Sequence, residues 1–157
     1  MNTECKRSAA ELTSTIAGEA WYGDSLREIL DGVTAKQASA HPASNAHSIW
    51  EIALHLDAWI ELYAGALRGT PMPPWATMPT EQDWPRVRAT DAKVWEQCVD
   101  SLFEHNLQFA KSMETFGDER LDSTVPGRTY NFSRLFRSSA LHAAYHGGQI
   151  ALLKKML

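Results

Sequence analysis

His47-Ser-Ile-Trp-Glu-Ile-Ala-Leu-His55-Leu-Asp-Ala-Trp59-Ile-Glu-Leu-Tyr63-Ala-Gly-Ala-Leu67 is the stretch on which the fold class turns. Ile49, Ile52, Ala53, Leu56, Ile60, Tyr63, Ala64 and Leu67 recur at the three- and four-residue spacing that lines one side of an α-helix. Ser44 or Asn45, after Pro42 in a turn, is the expected cap. Successive residues rotate by about 100°, which places His55 beside Ile52 and Trp59 at the edge of the apolar stripe. His47 and Glu51 share the neighbouring flank.

Three more segments carry the same signal. One runs from about Ser8 to Asp31, with Leu12, Ile16, Ala20, Leu26 and Leu30 facing inward. It is interrupted at Trp21-Tyr-Gly23-Asp24-Ser25, where glycine weakens a helix and Asp24 or Ser25 can cap a new one. Another starts near Thr90-Asp91 and ends at Phe116-Gly117, its inner face built from Trp95, Cys98, Leu102, Phe109, Met113 and Phe116, with Asn106 in the middle and His105 near the edge. The last runs from Ser133 to Met156. There Leu135, Ser139, His142, His146, Gln149 or Ile150, and Leu153 form one inward line.

Between the second and third segments, residues 68–85 hold Pro71, Pro73, Pro74, Pro79 and Pro85 with Trp75 and Trp84. That proline density argues against both helix and central strand. The segment reads as a tethered connection with its tryptophans plugged into the core, or as a rim over a pocket. A shorter crossover, Leu121 to Phe132, carries the turn signal Val125-Pro126-Gly127-Arg128. The expected architecture is all-α, a four-helix bundle with a long Pro/Trp-rich connection between helices two and three. The 157 residues, 44% hydrophobic and 22% charged, fit one domain over 1–157.

The totals also narrow function. The net charge is −4 and no run of Lys/Arg is dense enough to track phosphates, so nucleic acid is disfavoured. The apolar stretches are amphipathic rather than membrane-spanning, and Met1-Asn-Thr-Glu-Cys-Lys-Arg lacks a signal-peptide core. Two cysteines make no disulfide framework, and Cys98 reads as a small buried hydrophobe. The expected location is the cytoplasm.

The chemistry concentrates in His142-Ala-Ala-Tyr-His146. Residues four apart on a helix share a face, so both imidazoles can converge on one metal ion, and His55 is the best-placed third ligand. Burying two neutral imidazoles without partners would cost about 2 kcal/mol or more each. The adjacent Gly147 and Gly148 cost about 1 kcal/mol each against alanine, which suggests close approach of a ligand or backbone. Ala143 stands where an HExxH protease needs its glutamate, and the paired Glu-x-x-His of di-iron bundles is absent. Nor is there a phosphate loop, a G-x-S-x-G elbow or a dinucleotide fingerprint. Around a three-histidine site, His47, Glu51, Trp59, Asn106, Ser139 and Gln149 are candidates to line the pocket or hold the ligands in place.

With Trp21-Tyr-Gly-Asp-Ser-Leu26, the two His-bearing stretches and Asp83-Trp-Pro85, the chain resembles the DinB/YfiT-like superfamily of candidate metalloenzymes. The resemblance implies a four-helix bundle, often dimeric, with a divalent metal, Zn²⁺ or Ni²⁺, on His55, His142 and His146. It also implies a small-molecule substrate and thiol-dependent S-transferase chemistry with a low-molecular-weight thiol as cosubstrate. A metal- or ligand-binding protein without turnover and a metal-dependent hydrolase are the alternatives. A homodimer is expected, with Phe103, Leu107 and Ala110 as a flank of the third helix free for a partner and some of the six tryptophans at the interface.

Overall fold

The computed structural model describes residues 3–157, so the opening Met1-Asn2 of the stretch read as lacking a leader lies outside it. Seven α-helices follow in order: α1 Thr3–Ala17, α2 Leu26–Leu30, α3 Ala35–Ala38, α4 Ile49–Leu67, α5 Thr80–Asp83, α6 Ala92–Phe116 and α7 Phe132–Lys155. Among the described residues there is no strand, only isolated bridges at Ala20/Gly23 and Thr124/Asn131. The four long helices form the bundle, α1 and α4 each packing against both α6 and α7.

Local chemistry explains most of the boundaries. Ser25 starts α2 with a reciprocal capping box to Glu28, after the break expected near Gly23. Asp91 and Asn131 cap α6 and α7, and Gly117 closes α6. The cap of α4 is Ser48, not Ser44 or Asn45: the Ser48 N–H donates to Glu51 Oε2 at 2.7 Å and the Glu51 N–H to Ser48 Oγ at 3.2 Å. Helix α1 begins earlier than its apolar spacing indicates because a distant residue caps it. The Asp118 carboxylate accepts from the N–H groups of Thr3, Glu4 and Cys5 at 2.6, 3.1 and 2.9 Å. Those bonds, that from Cys5 foremost, hold the carboxyl down to about 2.

The core is aromatic at its centre. Phe109, Phe116, Phe132 and Phe136 stack edge-on or tilted on one another, and Trp50, Leu102, Met113, Leu135 and Ile150 are fully enclosed. The flank of α6 expected to meet a partner is covered by the chain itself. Phe103 and Ala110 are buried, Leu107 is half-buried, and the Arg27 guanidinium of α2 lies 4.0 Å from the centroid of the Phe103 ring. That flank is therefore not free for a partner. Only Trp21 and Trp75 among the tryptophans are well exposed.

The 68–85 connection contains more helix than its prolines suggested, a 3₁₀ turn at Trp75–Thr77 and the one-turn α5. Pro74 and Pro79 stand immediately before these turns, where no intrahelical N–H is required. The connection is latched to the α6–α7 crossover. The Met72 N–H donates to the Pro126 carbonyl at 3.0 Å, and Arg128 Nη1 donates to the carbonyls of Met72 and Pro73. Gly127, at φ +77°, lies flat against this seam: a Cβ there would stand 2.2 Å from the Met72 carbonyl oxygen.

A polar pair bridges α4 and α6, with His105 Nδ1 2.8 Å from Asp57 Oδ1 and 3.7 Å from Glu61. Burial disfavours the imidazolium, but the hydrogen bond and charge of Asp57, reinforced by Glu61 and Glu104, outweigh it and raise the His105 pKa. Burial raises the Asp57 pKa in turn. A histidine raised on folding stabilises below its unfolded pKa, and that stabilisation is lost as pH rises through the folded value. His105→Gln should therefore destabilise the protein at pH about 6 and have a smaller effect at pH about 9. Urea unfolding of both proteins at the two pH values checks this; a penalty independent of pH would contradict it. No helix among the described residues is long and apolar enough to cross a membrane.

Candidate metal centre

Helices α4 and α7 face each other across the bundle, and the apolar spacing that buries their inner faces also aims three histidines at one point. One ring nitrogen from each of His55, His142 and His146 lies within 4.8 Å of the others, and the Nε2 atoms of His55 and His142 are 3.1 Å apart. Two nitrogens held tetrahedrally by Zn²⁺ at about 2.05 Å would be about 3.3 Å apart. The His55–His142 pair is thus already at the spacing of two ligands on one ion, and His146 is near enough to close the set by a small side-chain movement.

Outside the triad, acceptors fix which nitrogen of His55 and of His146 faces inward. A carbonyl oxygen only accepts, so the 2.6 Å contact from His55 Nδ1 to the Asp83 carbonyl puts the proton on Nδ1 and leaves the lone pair on Nε2. His146 Nδ1 is held in the same way by Gln149 Oε1 at 2.6 Å. Hydrogen bonding at the outer nitrogen orients a metal-ligating imidazole and makes it more basic. The Asp83 carboxylate adds a contact of 3.3 Å to His55 Nδ1 and accepts from Trp59 Nε1 at 2.8 Å.

The electrostatics favour the ligating form. Burial, with the neighbouring His146 and His55 repelling a further charge, pushes the His142 imidazole down to about 3. Burial also lowers His55 against the Asp83 hydrogen bond, and His146 against that of Gln149. All three rings are neutral near pH 7, the form in which imidazole binds a metal.

The connection supplies one wall. Trp84 is sandwiched between His47, at 3.6 Å and 6°, and His55, at 3.9 Å and 14°. Two cavities adjoin the triad. One of about 570 Å³ is lined by His55, His142, Trp59, Trp75, Asp83 and residues of the α6–α7 crossover; the other, of about 540 Å³, is more apolar and reaches His146, Trp84, Tyr145 and Leu152.

Among the residues proposed from sequence, Trp59 and Gln149 come to the triad with the three histidines, and His47 stands one ring away behind Trp84. The others are engaged elsewhere. Glu51 belongs to the α4 cap and sits 3.1 Å from His41 Nε2. Asn106 Nδ2 and Ser139 Oγ donate to carbonyls of their own helices, Leu102 and Phe136, at 2.8 and 2.7 Å. Gly147 admits Ile29 of α2 at 3.5 Å from where a Cβ would be, whereas Gly148 faces open space; the close approach inferred from the pair is that of α2, at one glycine only. From sequence, Trp84 reads only as a core plug or a rim residue, and Asp83 has no role at the site. Their motif was visible, but nothing in it indicated a main-chain carbonyl as partner for a histidine 28 residues away.

The profile of the DinB superfamily matches residues 20–150, a span that takes in all three histidines and the 68–85 connection. No curated protein and no solved structure shows a significant match to the chain. The chain belongs to the DinB superfamily.

Proposed function

From that membership and the geometry above, we propose that this protein is a cytoplasmic metalloenzyme that transfers a low-molecular-weight thiol to an electrophilic small molecule. The observation that carries the reading is the convergence of three neutral imidazole nitrogens between two separate cavities, one for each of two substrates. A divalent ion at the triad, Zn²⁺ or Ni²⁺, would supply Lewis acidity that lowers the pKa of a thiol. The chain's own contribution is positional. His55, His142 and His146 would supply the ligand nitrogens, Asp83 and Gln149 keep the ring protons of His55 and His146 on their outer nitrogens, and Trp84 shields the His55 ring from water. The cysteines add no nucleophile, since burial pushes Cys5 up to about 11 and Cys98 up to about 12.

Metal-loaded protein incubated with cysteine or glutathione and chlorodinitrobenzene or an epoxide should form conjugate at a rate abolished by chelator and by His55→Ala. If the panel, extended to esters and amides, gives no metal-dependent product, the second reading takes over: a metal- or ligand-binding protein without turnover. That reading is favoured by one observation. The carboxylate at the triad, Asp83, is already held by Trp59 and His55, and no other Asp or Glu lines either cavity.

A further inference from the structure

The cavity on the His55/His142 side is polarised from end to end. Its one lining carboxylate, Asp83, sits at the triad, and its one lining cation, Arg134, sits on the first turn of α7. Arg134, Ser138 and His142 succeed one another at four-residue intervals and share a helix face. Eight residues of helix separate Arg134 from His142, about 12 Å along the axis. Thr129 and Tyr130, hydroxyl-bearing residues just before α7, also line the cavity, with Tyr130 beside Arg134.

Neither cation at that end is neutralised. The Arg134 guanidinium stands 5.5 Å from the centroid of the Tyr130 ring and has no carboxylate partner among the described residues. Arg128, just behind the wall, is only 9% exposed and packs 4.9 Å over Trp75, itself a lining residue. Its Nη1 is satisfied by carbonyls, but Nε and Nη2 are buried with no hydrogen-bond partner. A buried guanidinium is always charged. Without a counter-charge it imposes a positive potential on this end of the cavity, strengthened by the low-dielectric surroundings.

We propose that this cavity binds small organic carboxylates, with the carboxylate on Arg134 beside Thr129 and Tyr130 and a metal-seeking donor atom reaching the triad from the other end. The inference rests on the metal reading of the triad and adds the substrate class. A carboxylate is favoured over a phosphate because only one guanidinium, that of Arg134, lines the cavity, and its two parallel N–H donors match the two oxygens of a carboxylate. The separation selects molecules that carry the two groups several bonds apart. Arg134 is thereby a specificity residue for the ligand's far end.

Isothermal titration of the zinc-loaded protein with ω-mercaptoalkanoates and with ω-mercaptoalkanols of equal length tests this. The acids should bind more tightly than the alcohols by about tenfold, the worth of one charge-assisted hydrogen bond, once the chain is long enough to span the cavity. Arg134→Gln should erase that preference while leaving alcohol affinity unchanged, and Arg134→Lys should restore part of it. Equal affinity for acid and alcohol, or a preference that survives Arg134→Gln, overturns the proposal. Failure of the metal reading looks different: no zinc is taken up and neither series binds. The anion end is then decided on metal-free protein, by following the Arg134 side-chain resonance in nitrogen-15 NMR with hexanoate against hexanol. A saturable shift with hexanoate alone supports the proposal, and no shift overturns it.

Discussion

Purified protein should carry about one divalent ion per chain, and His142→Ala/His146→Ala should carry essentially none. Three neutral nitrogen donors suffice for one ion and not for two, and the double variant leaves His55 as the sole ligand. Elemental analysis of both proteins, before and after dialysis against a chelator, measures this. The variant should remain folded, since His142 is half-buried and His146, though buried, lines a cavity rather than the phenylalanine cluster of the core. Its circular dichroism should match that of the parent. A parent that is metal-free and cannot be loaded, or a double variant that keeps its ion, would remove the metal from the proposed chemistry.

Gly127→Ala should be the most damaging single-methyl change in the chain. The added carbon would run into the Met72 backbone, 2.2 Å from its carbonyl oxygen and 2.8 Å from its nitrogen, at φ +77°. Alanine in the left-handed region costs about 1–2 kcal/mol. Separating the two segments also forfeits the Met72–Pro126 hydrogen bond, worth about 1 kcal/mol. Together these come to about 2–3 kcal/mol, or roughly 5–10 °C in thermal midpoint for a domain of this size. The effect should extend to the site, because the same connection carries the Asp83 carbonyl and the Trp84 ring against His55. Thermal unfolding and zinc affinity should both fall. An unchanged midpoint would mean that the two segments are not latched at Gly127.

The bundle and the three histidines were legible in the sequence because both depend on one period. A repeat of about 3.6 residues assigns each side chain a face, and the face that buries Ile52, Leu56 and Trp59 also determines the direction of His55. What escaped were contacts made by backbone or across long separations. The cap of α1 comes from Asp118, more than 110 residues away. The flank of α6 looked free because nothing local to Phe103 announces that Arg27 covers it. The α4 cap is local and legible, since Ser48-x-x-Glu51 is a capping box, and that engagement takes Glu51 out of the pocket. Prolines at the density of the connection argue against helix, but the position before a first turn is one they tolerate, and Pro74 and Pro79 occupy it.

The hold on His55 has a consequence for how freely the rim can change. The acceptor for its Nδ1 proton is a main-chain carbonyl, which every amino acid at position 83 supplies equally. Mutational drift can therefore rewrite the side chains of the connection, and with them the cavity walls, as long as the path of the chain is kept. The histidines and the latch at Gly127 form a chassis, and the rim is an exchangeable part. A library randomised across the connection, sparing the latch, should yield many variants that hold metal alike and differ in what they accept beside it.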